Sequence, residues 1–245
     1  MITFLILGTN GYLPLAVRLV KKIRHHYKGS MPIDIVVATN HQLNKYVPDD
    51  MARHYQCSHS DWVEATNSKY EIAKTIFAGE YLYYLDADTN IKKDFTEHDI
   101  LGYIVGGQHF GDLDWMKDDK AFDRNPASTA YVPFDTDKPQ MYYLGAFWGG
   151  KTNLVRNVID VLLRWQGENR SKGIEPVWND ESYLNKYFHE YPPTRTILFK
   201  DFPFIVSDKG GMENLRNPKK KVNLTVLEMT KFRLIEIVDG EIIYA

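Results

Sequence analysis

The sequence predicts one α/β domain organised around a parallel sheet, and three stretches predict it. The apolar run Ile2–Leu7 turns at Gly8-Thr9-Asn10-Gly11 and is followed by an amphipathic segment, Leu13–Tyr27. A second apolar run, Ile33–Ala38, comes next. Strand, helix, strand is a unit that crosses over right-handed onto a parallel neighbour. The third stretch, Tyr81-Leu82-Tyr83-Tyr84-Leu85, reads as a strand buried on both faces and ends abruptly in Asp86-Ala87-Asp88. Aspartates there fall at the carboxyl end of a strand, where open α/β sheets bind ligands.

The whole chain sets bounds on function. Its 245 residues suit one large α/β domain or a domain with a lobe. A net charge of -2 argues against a nucleic-acid surface. No apolar run is long enough to span a membrane, and the first residues read as a strand rather than a signal peptide. Cys57 is the only cysteine, which excludes an internal disulfide and a cysteine zinc site and suits a reducing compartment. The 16 tyrosines and 5 tryptophans suit sugar-binding surfaces and equally a plain core.

Helix α1 is expected over Leu13–Tyr27, with Leu15, Leu19, Val20 and Ile23 on its buried face. No Gly-x-Gly-x-x-Gly follows the first strand, so the dinucleotide fingerprint is absent. A helix over Ser68–Ala78 ends at Gly79, and Tyr103-Ile104-Val105 reads as the next strand after the aspartates. Gly111–Pro139 is polar and broken by prolines. A loop this long is usually functional or mobile, and Asp112, Asp114 and Trp115 either face a substrate or belong to a solvated excursion. Met141–Gly150 is aromatic and glycine-rich, as a strand with a glycine turn or a backbone approached closely by a sugar would be. Asn153–Gln166 is helical, buried through Val155, Val158, Ile159 and Leu162. Asn179-Asp180-Glu181-Ser182 opens a further helix, with Asn179 as its N-cap and the acids favoured by the helix dipole; Tyr191-Pro192-Pro193 ends it. Thr196–Phe199 and Phe204–Val206 are expected strands. Phe232–Val238 and Glu241–Tyr244, joined at Asp239-Gly240, make a hairpin. One domain over 1–221 with a β-hairpin extension over 222–245 packed on it is the expected organisation.

The Asp86/Asp88 pair has two readings. Two neighbouring carboxylates repel unless positive charge lies beside them, and a hard divalent cation meets that need while holding a diphosphate. Alternatively one aspartate caps a turn and the other faces water.

Four pieces in order resemble glycosyltransferase family 6, which includes the mammalian blood-group A and B transferases and α-1,3-galactosyltransferase. They are Leu85-Asp86-Ala87-Asp88, Ala127–Pro133, Tyr142–Gly150 and Gly173–Tyr187, and the last is the most distinctive. The resemblance spans roughly residues 1 to 218. It implies the GT-A fold, a Rossmann-like mixed sheet flanked by helices. It implies a retaining enzyme that moves galactose or N-acetylgalactosamine from a UDP-sugar donor to a glycan hydroxyl in α-1,3 linkage, with manganese(II). Carried over residue by residue, Asp86 and Asp88 hold the metal, with Ala87 between them. Leu7, Gly8, Thr9 and Tyr12 line the uridine. Leu144, Gly145 and Ala146 lie against the donor sugar and acceptor. Asp180 binds sugar hydroxyls and Glu181 faces the anomeric carbon. His109, Trp178 and Asn179 are the expected acceptor contacts, although the family usually has histidine where Asn179 stands. Lys69 is the expected basic donor contact. Lys209, or else Lys219, is expected to close on the diphosphate. In the resembling enzymes a residue matching Ala146 goes with galactose when alanine and with N-acetylgalactosamine when glycine. Leu144 matches the N-acetylgalactosamine type, so the pair is mixed.

The expected partners are therefore a UDP-sugar and a glycan, with no nucleic acid. The anchor and stem of the mammalian enzymes are missing, which suggests a soluble bacterial or viral protein in the cytoplasm. The alternatives are transfer from or hydrolysis of another UDP-hexose, such as UDP-N-acetylglucosamine or UDP-glucose, and a silent sugar- or nucleotide-binding protein. The acceptor and the oligomeric state stay open at this point.

Overall fold

The computed structural model describes residues 1–58, 62–91, 93–109, 121–134, 141–198, 201, 204–206, 237–238 and 241–242. The described strands are β1 (Ile2–Leu7), β2 (Ile33–Thr39), β3 (Arg53–Gln56), β4 (Tyr81–Asp86), β5 (Thr89–Ile91), β6 (Ile104–Gln108), β7 (Tyr143–Lys151), β8 (Arg195–Ile197), β9 (Phe204–Val206), β10 (Ile237–Val238) and β11 (Glu241–Ile242). The described α-helices are α1 (Leu13–His26), α2 (Trp62–Thr75), α3 (Glu97–Ile100), α4 (Thr152–Ser171) and α5 (Asn179–Glu190). A seven-stranded mixed sheet runs β3-β2-β1-β4-β7-β6-β8. In it β7 alone is antiparallel to its neighbours β4 and β6. This is the expected α/β architecture, consistent with a GT-A fold.

The apolar runs are continuous because helices cover both faces of the sheet. Phe4, Ile6, Ile35 and Val37 pack on one side with α1, through Ala16, Leu19, Val20 and Ile23. Leu5, Val36, Leu82 and Tyr84 pack on the other with Tyr70 and Ile76, Val155 and Ile159 of α4, and Leu184 and Phe188 of α5. Pro14 in the first turn of α1 presets the backbone where a helix needs no N–H.

Several expectations need correction. The short strand β5 precedes β6 in the chain, and the buried strand β7 inserts between β4 and β6. The glycines of 149–150 serve that insertion rather than a ligand. Gly150 sits at φ +138°, and a Cβ there would lie 2.2 Å from the carbonyl oxygen of Tyr103 on the adjoining chain. Strand β3 escaped notice because Arg53-His54-Tyr55-Gln56 is polar, as suits an exposed sheet edge. Helix α2 starts before Ser68 and stops at Thr75, and α4 runs past Gln166 to Ser171. Strand β9 pairs with β5, the short strand directly after Asp88. Rungs Ile237↔Ile242 and Val238↔Glu241 pair antiparallel, as the hairpin requires. Residues 222–236 lie outside the described residues.

The described part of the polar middle stretch, 121–134, is docked rather than solvated. Ala121, Phe122, Ala130 and Val132 are buried. The fully buried Asn169 of α4 accepts the Thr129 N–H at 2.8 Å and donates to Ser128 Oγ at 2.9 Å and Tyr183 Oη at 3.1 Å. A buried amide with its groups matched specifies one docking geometry. Asp112, Asp114 and Trp115 lie outside the described residues.

Glu97 at the start of α3 ties the helix to the end of α1. Its carboxylate accepts Ser30 Oγ at 2.7 Å, the Ser30 N–H and Tyr27 Oη at 3.0 Å. The Ser30 hydroxyl chiefly, with Glu97's own N–H, holds its pKa down at about 2 from 4.5. A depressed carboxylate stabilises the fold above its unfolded pKa, and that stability disappears as pH falls through the folded value. The Tm of Glu97→Gln is therefore expected to fall less than the wild-type Tm between pH 4.5 and about 2. Equal losses in a thermal melt series would count against this linkage.

Candidate active site

Register brings the β1 turn and the aspartates together. Leu7 is paired with Asp86 on one side and Ala38 on the other. Asp86 closes β4, and its Oδ1 accepts Tyr84 Oη at 2.7 Å. Tyr84 stands two residues before Asp86, so strand alternation places both on one face. Asp88 is 9% exposed and Ala87 is packed in the core. Beyond Leu7, the Gly8 N–H bonds to Ala38 O and the Tyr12 N–H to Thr9 O. Asn10 and Asn40 exchange hydrogen bonds that pin this turn to the end of β2.

Strand β7 changes course beside the aspartates. Its ladder with β4 ends at Leu85↔Phe147. Against β6, Gly106 faces Trp148 but Gln108 faces Tyr143, so β7 carries extra residues between them. Bulges of this kind re-aim side chains next to active sites. The re-aimed residues are Leu144, Gly145 and Ala146, all three of which the motif had singled out. Asn185 stabilises the irregular backbone, accepting the Tyr143 N–H at 2.7 Å and donating to Tyr143 O at 2.9 Å.

Helix α5 delivers the two acids into this region. The N-cap position belongs to Trp178, with no side-chain cap, so Asn179 does not cap as expected. Asn179 instead has φ +48°, in the left-handed region that asparagine tolerates. That turn rotates Asp180 inward, to 2% exposure. Asp180 Oδ2 forms an ion pair with Lys69 Nζ of α2. Lys69 also donates to Gly145 O at 3.2 Å and lies 4.7 Å from the centre of the Tyr84 ring. Burial works against the Lys69 charge, but Asp180, Asp86 and Glu181 outweigh it, and its pKa ends above the ordinary lysine value. Burial also pushes the Asp180 carboxyl up, to about 7, against the pull of the Lys69 charge. Tyr70 Oη donates to Asp180 O at 2.9 Å.

Glu181 is held at both oxygens. Oε1 accepts Tyr142 Oη at 2.8 Å and Oε2 accepts the Gly145 N–H at 2.6 Å. Burial pushes its pKa up, while Gly145, Tyr142 and Lys69 pull it down. A Cβ at 145 would lie 2.8 Å from Glu181 Oε2 and 3.0 Å from Glu181 Cβ, so a larger residue there would displace the Glu181 side chain. In this first turn Asp180 is buried and ion-paired and Glu181 is half-buried and hydrogen-bonded, so neither is simply a solvent-facing partner of the helix dipole. Of the expected acceptor contacts, Trp178 is 41% exposed and Asn179 beside it is half-buried. His109 packs edge-on to Tyr142 at 5.4 Å, and burial lowers its pKa to about 4, which leaves a neutral ring at pH 7. Lys209 and Lys219 lie outside the described residues.

Residues 34–207 match the model of glycosyltransferase family 6. The chain belongs to this family. Its relatives include the histo-blood group ABO system transferase 2 of Rattus norvegicus, 30% identical over 145 residues, 57% of this chain and 43% of the relative. The globoside alpha-1,3-N-acetylgalactosaminyltransferase 1 of Gallus gallus is 23% identical over 193 residues, 74% of this chain and 55% of the relative. The O-antigen biosynthesis glycosyltransferase WbnI of Escherichia coli is 28% identical over 118 residues, 46% of this chain and 48% of the relative. The chain thus spans about half the length of these relatives. No described helix is long and apolar enough to cross a membrane.

The candidate site contains supports that local sequence pattern does not announce. Tyr84 and Asn185 were legible in principle, one by strand alternation and the other as the residue four after Glu181 on a helix. Tyr142 is marked in the sequence only as part of the aromatic, glycine-rich stretch Met141–Gly150. Tyr70 carried no signal beyond adjacency to Lys69.

Proposed function

We propose that this family 6 chain transfers galactose or N-acetylgalactosamine from a UDP-sugar to a glycan hydroxyl, in α-1,3 linkage and with retention. The observation that carries the reading is Glu181: a half-buried carboxylate with both oxygens held, beside the Lys69–Asp180 pair and the strand end at Asp86. Retention needs a group on the sugar face opposite the leaving group, as nucleophile or ion-pair partner. Glu181 fills that role, and Asp180 holds donor hydroxyls. Lys69 holds Asp180 in place and counters the burial that raises its pKa. Leu7, Gly8, Thr9 and Tyr12 receive the uridine at the end of β1. His109, Trp178 and Asn179 take the acceptor.

Manganese(II) belongs to the same proposal. Asp86 and Asp88 supply hard carboxylate oxygens, and Asp86, Asp180 and Glu181 all act on one ammonium, Lys69, so negative charge is in excess. No group of three His, Cys, Asp or Glu side chains converges among the described residues. That donor set suits a cation shared with a diphosphate rather than one enclosed by protein. When bound, the ion supplies charge stabilisation to the departing diphosphate. Measuring UDP release across a panel of UDP-sugars, with and without manganese, tests the proposal. Turnover confined to UDP-glucose or UDP-N-acetylglucosamine would favour the hexose alternative, and none with any donor would favour a silent binding protein.

Donor choice rests on Ala146. A methyl group occupies room that an acetamido group needs, and one methyl changes discrimination by about 1–3 kcal/mol. Ala146→Gly is expected to raise kcat/KM for UDP-N-acetylgalactosamine relative to UDP-galactose. Competition between the two donors measures it. An unchanged ratio, or a move toward galactose, would mean that Ala146 does not line the space around C2.

A further inference from the structure

A carboxylate that must meet a reacting carbon needs fixed oxygens. Glu181 has one anchor from the backbone, the Gly145 N–H at 2.6 Å, and one from a side chain, Tyr142 Oη at 2.8 Å. Tyr142 is fully buried, and its ring is clamped by two others. Phe122 meets it edge-on at 5.2 Å and 79°, and His109 meets it edge-on at 5.4 Å and 80°. The His109 N–H also donates to Tyr142 O at 2.9 Å. Phe122 belongs to the docked stretch 121–134, which Asn169 pins to α4 through Ser128 and Thr129. Burial, then the Glu181 charge, drives the phenol pKa well above its ordinary value, so Tyr142 remains a donor.

We propose that Tyr142 is a positioning residue of the transfer reaction: its hydroxyl fixes Oε1 of Glu181, and Phe122 and His109 fix the phenol. The proposal rests on the reading of Glu181 given above. Without the hydroxyl, the Gly145 N–H is the one hydrogen-bond anchor of the Glu181 carboxylate among the described residues, and the carboxylate turns about that point. The docked stretch 121–134 then has a function beyond filling space. It carries the ring that holds the tyrosine that holds the carboxylate.

The test uses the full chain with manganese(II) and the UDP-sugar of highest turnover, following UDP release. Tyr142→Phe keeps the ring and removes the hydroxyl. Its kcat is expected to fall about ten- to a hundredfold, the loss of one hydrogen bond to a charged group, with donor KM within about twofold of wild type. A merely structural role would lower Tm and the active fraction without this split between kcat and KM. Glu181→Gln is run beside it. If Glu181→Gln keeps wild-type turnover, the reading of Glu181 fails. If Glu181→Gln is inactive while Tyr142→Phe has wild-type kcat, or an altered KM with unchanged kcat, the positioning role is overturned. Should Tyr142→Phe not fold, Phe122→Leu replaces it, leaving the hydroxyl but loosening the clamp. A lowered kcat at constant KM supports the proposal, and a wild-type kcat overturns it.

Discussion

Asp88→Asn is expected to lower metal-dependent donor turnover by more than about a hundredfold, because losing even an outer partner of a metal ligand costs ten- to a hundredfold. The neutral amide removes one of the two adjacent carboxylates at the end of β4 and leaves the backbone turn in place. Asp88 is only 9% exposed, yet the change is nearly isosteric, so the ligand-free Tm is expected to stay close to wild type. A second readout does not depend on turnover. A ligand at a hundred times its Kd stabilises the folded chain by about 2.7 kcal/mol. For a chain of this size that is about 5–10 °C in Tm. Manganese with UDP should produce such a rise in the wild type and little or none in Asp88→Asn. Full turnover in excess chelator, or an undiminished Tm rise in the variant, would remove Asp88 from the metal site.

The second large effect is on the fold itself. Lys69 and Asp180 are an ion pair with side chains 4% and 3% exposed. Removing one member of such a pair leaves a buried charge uncompensated, at about 3–5 kcal/mol, whereas replacing both with apolar groups is often neutral. Lys69→Met is therefore expected to lower Tm by about 10 °C or more. Lys69→Met with Asp180→Leu should regain most of the loss, since no unpaired carboxylate remains, but should turn over no donor. This double substitution separates the structural part of the pair from the part that serves the sugar. An undiminished Tm in Lys69→Met would show that water or another cation reaches Asp180, and that the pair is not what holds α2 to α5.

The parts of the molecule legible in the sequence were those decided by local pattern. Ile2–Leu7, Ile33–Thr39 and Tyr81–Asp86 are strands because continuous apolar runs of that length suit a sheet covered on both faces. The α1 stripe repeats with helical spacing, and Tyr191-Pro192-Pro193 stops α5 because proline cannot extend it. Asp86 and Asp88 fall at a strand end for the same local reason. Polar β3 and three-residue β5 carry too little pattern to be read this way.

The candidate site could be named from the sequence as separate residues, but their arrangement could not. Asn179 looked like a cap and Asp180 and Glu181 like dipole partners because a sequence shows the helix start without its surroundings. In three dimensions β7 inserts between β4 and β6, and its extra residues turn Gly145 toward α5. Lys69 then reaches Gly145, 76 residues away in the chain, and Tyr142 reaches Glu181, 39 away. The sequence alone determined which segments bury apolar surface and where carboxylates end a strand, since both follow from composition over a few neighbouring residues. Only the tertiary structure decided which charge meets which. Burying a carboxylate is unfavourable unless donors and a counter-charge surround it, and those partners come from distant segments that meet only when the sheet is assembled.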